Sequence, residues 1–307
     1  MPPGASVTHP QSPSQLDCPP ALDADALHGQ LASFNQRRLR PTLPSNDWRQ
    51  TMADDARMRL LEGAFVEVER AAVSDEIPFG PDAVATAADA LAWFDELARS
   101  GPGQGDRLFP WLSEHADLAA MRWFLSQEIA GEAGFDDLVA LTQIKLPMRA
   151  KLELARNYWD EMGRGQEAGM HGRMLDRLVE VLALPVAGRT VVEATALANL
   201  MVALAAERRY AYQAVGALGV IELTAPGRVA LVARGLERLG VSAEGRRYYE
   251  LHAVLDVKHS EAWNREVIAP LAETVPGAAH AMAEGALMRL HAGRRCFERY
   301  RAELSVV

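Results

Sequence analysis

The chain has 307 residues, a formal net charge of −9 and a sequence pI of about 5.4. Apolar residues make up 49% and charged residues 24%, ordinary values for a folded globular protein, which exclude a wholly disordered, collagen-like or disulfide-stapled chain. The negative charge argues against a nucleic-acid partner, because a phosphate backbone repels it. The two cysteines, Cys18 and Cys296, lie far apart and match no zinc spacing, so we predict a protein of the reducing cytoplasm.

No export or membrane segment is predicted. The first residues lack the basic and apolar regions of a signal peptide. The most apolar stretch, 191–206, is too short to cross a bilayer and contains Glu193 and Asn199, so it is predicted to form a buried core helix.

In chain order, residues 1–45 carry clusters of Pro, Ser and Gly without a lasting apolar period, which predicts a mostly disordered leader. From about residue 52, apolar residues such as Met58, Leu61 and Phe65 recur at helical spacing. Further helices are predicted over 82–99, 107–133, 136–145, 149–163, 167–184, 190–209, 211–223, 226–239, 244–269 and 276–302.

Breaks between these helices are predicted at Pro147, Pro185, Pro226-Gly227 and Gly240. The sequence has no run of alternating β-branched residues and no Asn-Gly or Asp-Gly hairpin signal. We therefore predict an all-α fold, with residues 46–307 forming a single helical domain.

The strongest chemical signal is a His-x3-Asp-x2-His pattern formed by His252, Asp256 and His259. At about 100° per residue, Asp256 lies about 40° and His259 about −20° around the helix from His252, so all three share one stripe. Leu251 and Leu255 flank the stripe and direct it towards the interior. Two imidazoles and a carboxylate on one buried face are half of a transition-metal site, and a buried cluster of this kind without a metal leaves polar groups unsatisfied.

Facing helices must supply the other half of such a site. Glu161 and His171 are candidates, although ten residues of unbroken helix would place them on different faces. Gly163 and Gly165 provide a break that can redirect the second helix. The alternative interpretations are a solvated acid at a helix end and a histidine in a first turn.

Three further acids are candidates from their apolar surroundings. Glu128 lies in an apolar helix, and Glu132 shares its face, so periodicity does not choose between them. Glu222 precedes Pro226 in an apolar turn, where the helix dipole disfavours a negative charge unless a cation is bound.

The remaining polar residues carry less weight. The other histidines lie in the leader or are isolated, and Asp136-Asp137 is interpreted as a feature of a helix N-terminus after Gly134. Arg208 and Arg209 are candidates to bind a substrate carboxylate, with a surface position as the alternative.

Taken together, these residues resemble the iron-containing redox enzymes of the haem-oxygenase-like di-iron oxidase superfamily, over about residues 105–270. The resemblance rests on Gln127-Glu128, Phe135-Asp136-Asp137-Leu138, Asn157-x3-Glu161-x-Gly163-x-Gly165 leading to His171, Glu222-x3-Pro226 and His252-x3-Asp256-x2-His259. It implies a haem-oxygenase-like helical bundle, often dimeric, here with additional N-terminal helices. It also implies a non-haem di-iron centre whose ligands are Glu128 (or Glu132), Glu161, His171, Glu222, His252, Asp256 and His259.

The resemblance further implies an O2-dependent oxidase or oxygenase with two Fe(II) ions. Such an enzyme would oxidise a small amine, amino acid or aliphatic acid by N-oxygenation, desaturation or C–C cleavage, with electrons from an external donor. The alternatives are a mononuclear or cofactor-independent oxidase on the same fold, or a non-catalytic helical binding protein. Convergence of the carboxylates and imidazoles in space distinguishes the metal-centre interpretation from the last of these.

Overall fold

A computed structural model describes residues 23–132, 134–184 and 190–306, without the side chain of Glu132. These residues form α-helices joined by short turns, and they contain no β-strand. The α-helices are α1 Ala24–Leu39, α2 Trp48–Val73, α3 Ala87–Ser100, α4 Leu108–Glu114, α5 Leu118–Glu132, α6 Phe135–Thr142, α7 Met148–Glu161, α8 His171–Leu182, α9 Val192–Ala206, α10 Ala211–Arg238, α11 Ala243–Trp263, α12 Ala269–Thr274 and α13 Ala278–Glu303. The predicted all-α class is confirmed.

The N-terminal segment differs from its prediction as a disordered leader. Residues 1–22 lie outside the described residues, but α1 follows them and packs on α9. Buried Asn199 of α9 donates to the carbonyl of His28 at 2.9 Å and accepts from Asn35 Nδ2 at 2.9 Å. Arg38 makes a two-pronged ion pair with Glu62 of α2. Contacts distant in sequence therefore order this helix, and no apolar period announces them.

Helix α10 is the centre of the bundle and packs against α4, α11 and α13. It is long and apolar enough to span a membrane, but neighbouring helices cover much of it, as expected for a core helix. Gly216 of α10 and Gly285 of α13 allow backbone to meet backbone, since a Cβ on Gly216 would lie 1.8 Å from the carbonyl oxygen of Met282.

Two predicted helix boundaries are wrong. The predicted break at Pro226 does not exist, because α10 continues through it and only the hydrogen bond to the carbonyl of Glu222 is lost. Conversely, the predicted helix 107–133 is divided into α4 and α5. Asp117 causes this division, since its carboxylate accepts from the backbone N–H of Ala120 at 2.8 Å and caps a new helix.

The packing of α11 on α10 depends on Trp263 at the end of α11. Its indole N–H donates to the carbonyl of Val215 at 3.2 Å, and its ring lies against Gly219, where a Cβ would approach to 2.7 Å. This contact fixes α11 beside α10, so that the polar stripe of α11 faces Glu222 in the core.

Candidate metal centre

Helices α7 and α8 bring Glu161 and His171 together through a tight loop. Glu161 is the last residue of α7 and His171 the first of α8. Between them Gly163 adopts a positive φ of 60°, and a Cβ there would lie 2.3 Å from the carbonyl carbon of Gly169. The expected glycine break therefore lets the chain reverse, and Nδ1 of His171 lies 2.7 Å from Oε2 of Glu161.

Glu222 lies in the middle of α10, not at a helix end as the sequence suggested. Asn157 of α7 donates from Nδ2 to its Oε1 at 2.7 Å, and both residues are buried. The other oxygen, Oε2, lies 3.5 Å from Nδ1 of His259. Asn157 thus fixes the carboxylate while one oxygen faces the interior.

The stripe on α11 faces the same space, as its spacing predicts. Nδ1 of His252 donates to the carbonyl of Tyr248 at 2.7 Å, which leaves the Nε2 lone pair free. Nε2 of His259 lies 3.2 Å from Oδ2 of Asp160, so that its Nδ1 is the inward nitrogen. Hydrogen bonds of this kind orient metal-binding imidazoles in many proteins.

The inward atoms form two donor groups that share one residue. The first is Glu161, His171 and His252, and the second is Glu161, Glu222 and His259; within each group the donor atoms lie within 4.8 Å of one another. Asp256 is in neither group. It lines a cavity of about 110 Å³ together with Glu161, Glu222 and His252, which belong to the two groups.

Several buried atoms in the cluster are not satisfied by hydrogen bonds. Nδ1 of His171 and Nδ1 of His259 lie near carboxylate oxygens without hydrogen-bonding geometry, and Oδ1 of Asp256 has no hydrogen-bond partner. Such atoms are costly unless something else satisfies them. Imidazole nitrogens and carboxylate oxygens are ligands that suit iron, so the donor set fits a metal centre.

The charges in the cluster conflict when no cation is present. Burial and the neighbouring Glu222 raise the pKa of Asp256 to about 9, and burial raises the pKa of Glu161 well above its usual value. Burial lowers the pKa of His252 to about 4, and that of His171 falls to the same level. The metal-free cluster therefore retains carboxyl protons that a cation would displace.

His259 behaves differently from the other two histidines. Burial acts to lower its pKa, but the contact with Glu222 and the hydrogen bond to Asp160 outweigh burial and raise the pKa to about 9. Asp160 and Asn157 are functional residues to which the sequence analysis assigned no role. The signal was available for Asn157, which lies four residues before Glu161 on the same face of α7, but not for Asp160, which directly precedes Glu161.

Glu128 does not join the donor groups, and the structure does not bring it to the cluster. It borders a neighbouring cavity, where it faces Arg228, Arg289 and the hydroxyl of Tyr300. Periodicity placed Glu128 in an apolar helix but not on a particular side of it. The alternative ligand, Glu132, has its side chain outside the described part of the chain.

The structure also places three other residues that the sequence singled out. Asp136 lies in the first turn of α6 after Gly134, as interpreted, and is near enough to Glu161 and His171 to raise the pKa of both. Arg208 donates to the carbonyls at the end of α6, and Arg209 pairs with Glu67. These contacts occupy the guanidiniums of Arg208 and Arg209, neither of which borders the cavity at the cluster.

A helical bundle with carboxylates and imidazoles converging in its core is typical of metal-dependent redox proteins. The family profile described as "Iron-containing redox enzyme" matches residues 122–294, more than half of the chain. The chain belongs to this haem-oxygenase-like family. All of the proposed ligands lie within the match, and α1–α4 precede it.

The fold is similar to two crystal structures of a CADD-like protein of unknown function from Nostoc punctiforme PCC 73102. The 2.00 Å structure has a TM-score of 0.55 at 19% identity over 71% of this chain and 97% of that chain. The 1.35 Å structure has a TM-score of 0.53 at 20% identity over 72% and 97%. No curated protein sequence matches this chain. The likeness establishes the fold alone.

Proposed function

We propose that the protein is a non-haem di-iron oxidase or oxygenase that uses O2 to oxidise a small amine, amino acid or aliphatic acid. The observation that carries the proposal is the position of Glu161 in both donor groups. A carboxylate has two oxygens and can serve two cations at once. Each group then contributes at least one histidine and one carboxylate to its own cation.

The surrounding residues are arranged to hold such a pair of cations. The backbone carbonyl of Tyr248 fixes the tautomer of His252, Asp160 orients His259, and Asn157 holds Glu222. Bound iron would supply the reduction of dioxygen, with an external donor restoring Fe(II) between turnovers. The protein supplies the positioning of the ligands and of the substrate.

The cavity at the cluster suits chemistry that must exclude water. Its remaining wall is mostly apolar and comes from α5, α6, α9, α10, α11 and α13. Phe135, Met201 and Ile221 are among the apolar residues, and Arg289 is the charged one. Such a wall keeps reactive species away from solvent. A cytoplasmic location and a homodimer remain predictions, as does the absence of a nucleic-acid or membrane partner.

Anaerobic loading with Fe(II), followed by iron analysis and O2-consumption assays, tests the proposal. We expect about two irons per chain and a transient visible absorption on mixing with O2. His252→Ala should lose both, whereas His115→Ala should behave as the parent protein because His115 is exposed on the surface.

Each competing function has its own outcome in this experiment. One iron per chain would favour a mononuclear oxidase. No iron, with no O2 consumption across a panel of amino acids, amines and fatty acids, would favour a binding protein. Unchanged iron content in His252→Ala would contradict the assignment of the ligands.

A further inference from the structure

A second cavity, of about 150 Å³, adjoins the one at the donor cluster. The two cavities share wall residues from α5, α10, α11 and α13. The shared residues are Gly131, Ile221, Ala225, Val229, Tyr248 and Arg289. The two cavities therefore lie side by side and meet at these residues.

The wall of the second cavity contains two guanidiniums and one carboxylate. Burial lowers the pKa of both guanidiniums, and for Arg228 the nearby Arg289 adds to this effect and brings the pKa to about 10. Both groups stay charged at neutral pH, because guanidiniums do not lose their proton in proteins. Glu128 is the acid that faces them. Cys296 and Tyr300 are neutral there, because burial raises the pKa of the thiol to about 12 and that of the phenol well above its usual value.

The two guanidiniums are not matched by ion pairs. Among the described residues, no carboxylate oxygen lies within 4.0 Å of either group. Arg228 instead donates to Thr224 at 3.1 Å and to Gln104 at 3.4 Å. Nε of Arg289 and Nε2 of Gln104 are buried donors without a partner.

Among the described side chains, this arrangement leaves two half-buried guanidiniums facing one acid, Glu128, together with donors that have no partner. A cation shielded from solvent without a close counter-charge is costly, which favours the binding of an anion. Gly293 contributes to the construction of the site, since a Cβ there would lie 2.7 Å from Nη1 of Arg289. Planar guanidiniums match a carboxylate better than any other protein group does.

The geometry of α10 sets the distance from this anion site to the donor cluster. Ile221, Ala225 and Val229 form an apolar stripe at four-residue spacing along the segment of α10 that contains Glu222 and Arg228. Six residues separate Glu222 from Arg228, which is about 9 Å along the helix axis. An extended carbon chain of up to roughly seven bonds covers that length.

We propose that Arg228 and Arg289 bind the carboxylate of the substrate, so that a monocarboxylic acid lies along the apolar stripe and presents its far end to the donor cluster. The binding part depends only on this cavity. The claim that the far end is oxidised rests on the proposed function. The carboxylate can belong to a simple aliphatic acid or to an amino acid, in which case Glu128 would accept the ammonium group.

Calorimetric titration of the full-length, Fe(II)-loaded protein under anaerobic conditions tests the binding. Straight-chain acids from butanoate to decanoate are the probes, and octanamide is the neutral counterpart of octanoate. Octanoate should bind at least about tenfold more tightly than octanamide, because its hydrogen bonds to the arginines are charge-assisted. Arg289→Gln should remove that advantage and leave octanamide unaffected.

Arg209→Gln is the matched control, since Arg209 pairs with Glu67 on the surface. Arg289→Gln should fold, because it removes a buried charge that has no partner. A circular dichroism melt of each variant verifies this. Arg289→Lys, which retains the charge, should recover part of the affinity.

One further acid, 2-aminooctanoate, distinguishes the two sources of the carboxylate. If 2-aminooctanoate binds more tightly than octanoate, and this difference disappears in Glu128→Gln, the substrate is an amino acid. If octanoate binds more tightly, the substrate is an aliphatic acid. Three results would each overturn the proposal. These are equal affinities for octanoate and octanamide, an unaltered octanoate affinity in Arg289→Gln, and no binding of any acid of the series. Arginine-dependent binding without O2 consumption would leave the anion site in place and refute only the oxidase.

Discussion

The crossing of α10 and α13 makes Gly216→Ala the sharpest test of the packing that positions the cluster. The added Cβ would lie 1.8 Å from the carbonyl oxygen of Met282, whereas real Cβ contacts are essentially never under 3.0 Å. The two helices must therefore separate by more than 1 Å at this point. Forced overpacking of a core costs about 1–3 kcal/mol, and the better helix propensity of Ala returns about 1 kcal/mol.

Gly227→Ala is the control on the same helix. Gly227 is exposed and a Cβ there meets nothing within 4 Å, so this variant should gain up to about 1 kcal/mol from helix propensity alone. Thermal and urea denaturation of the metal-free proteins measures the difference. We expect Gly216→Ala to melt several degrees below Gly227→Ala, because 1 kcal/mol corresponds to about 2–4 °C in larger domains.

The same variant should also weaken iron binding. Glu222 lies six residues along α10 from Gly216, about 9 Å away, and must stay within reach of α7 and α11. Equal melting temperatures and equal iron content for Gly216→Ala and Gly227→Ala would refute the conclusion that the helices meet backbone to backbone.

Two other predictions concern the cluster itself. The metal-free protein should lose stability as the pH rises from 6.5 to 9. In the folded protein the pKa values of Asp256 and His259 are both about 9, above their ordinary values of 3.8 and 6.5. The folded protein therefore holds protons in this range that the unfolded chain has released, and raising the pH favours the unfolded chain. His171 and His252, whose pKa values are lowered, affect stability below this pH range and in the opposite direction. Thermal melts with and without Fe(II) should show the loss of stability only in the metal-free protein. A stability that rises from pH 6.5 to 9 in the metal-free protein would contradict the proposed arrangement of charges in the cluster. Asp160→Asn should weaken Fe(II) binding about 10–100-fold by withdrawing the charge that orients His259, as measured by competition with a chelator. Asp176→Asn, an exposed acid on α8, is the control, and equal affinities for the two variants would argue against that role.

Local periodicity was sufficient to predict the helical class, but not the helix ends that depend on distant contacts. Helix α1 was missed because its order depends on Asn199 and Glu62, far along the chain. The continuity of α10 was missed because a proline usually ends a helix, whereas α10 continues through Pro226 and packs along its length against α4, α11 and α13.

The site shows the same division between local and distant information. The stripe of His252, Asp256 and His259 follows from helix geometry alone, and so it could be predicted. The approach of Glu161 to His171 needs the glycine loop between them, which the sequence suggested but did not orient. The side of α5 on which Glu128 lies could not be predicted, because apolar residues are spread around this helix without a dominant face and the tertiary packing decides which way the acid points.

Helix α10 connects the two proposed sites, and the structure around Pro226 explains how their spacing can be constant. A proline in a helix usually permits a bend, since the carbonyl of the residue four positions earlier has no partner. Across this point, however, Thr224 donates to the carbonyl of Val220 at 2.7 Å and accepts from Nη2 of Arg228 at 3.1 Å. The guanidinium is thus held by the same helix that carries Glu222. The separation of Arg228 from Glu222 is therefore set by one helix backbone, and a substrate carboxylate held by Arg228 would have its other end placed at a defined distance from Glu222.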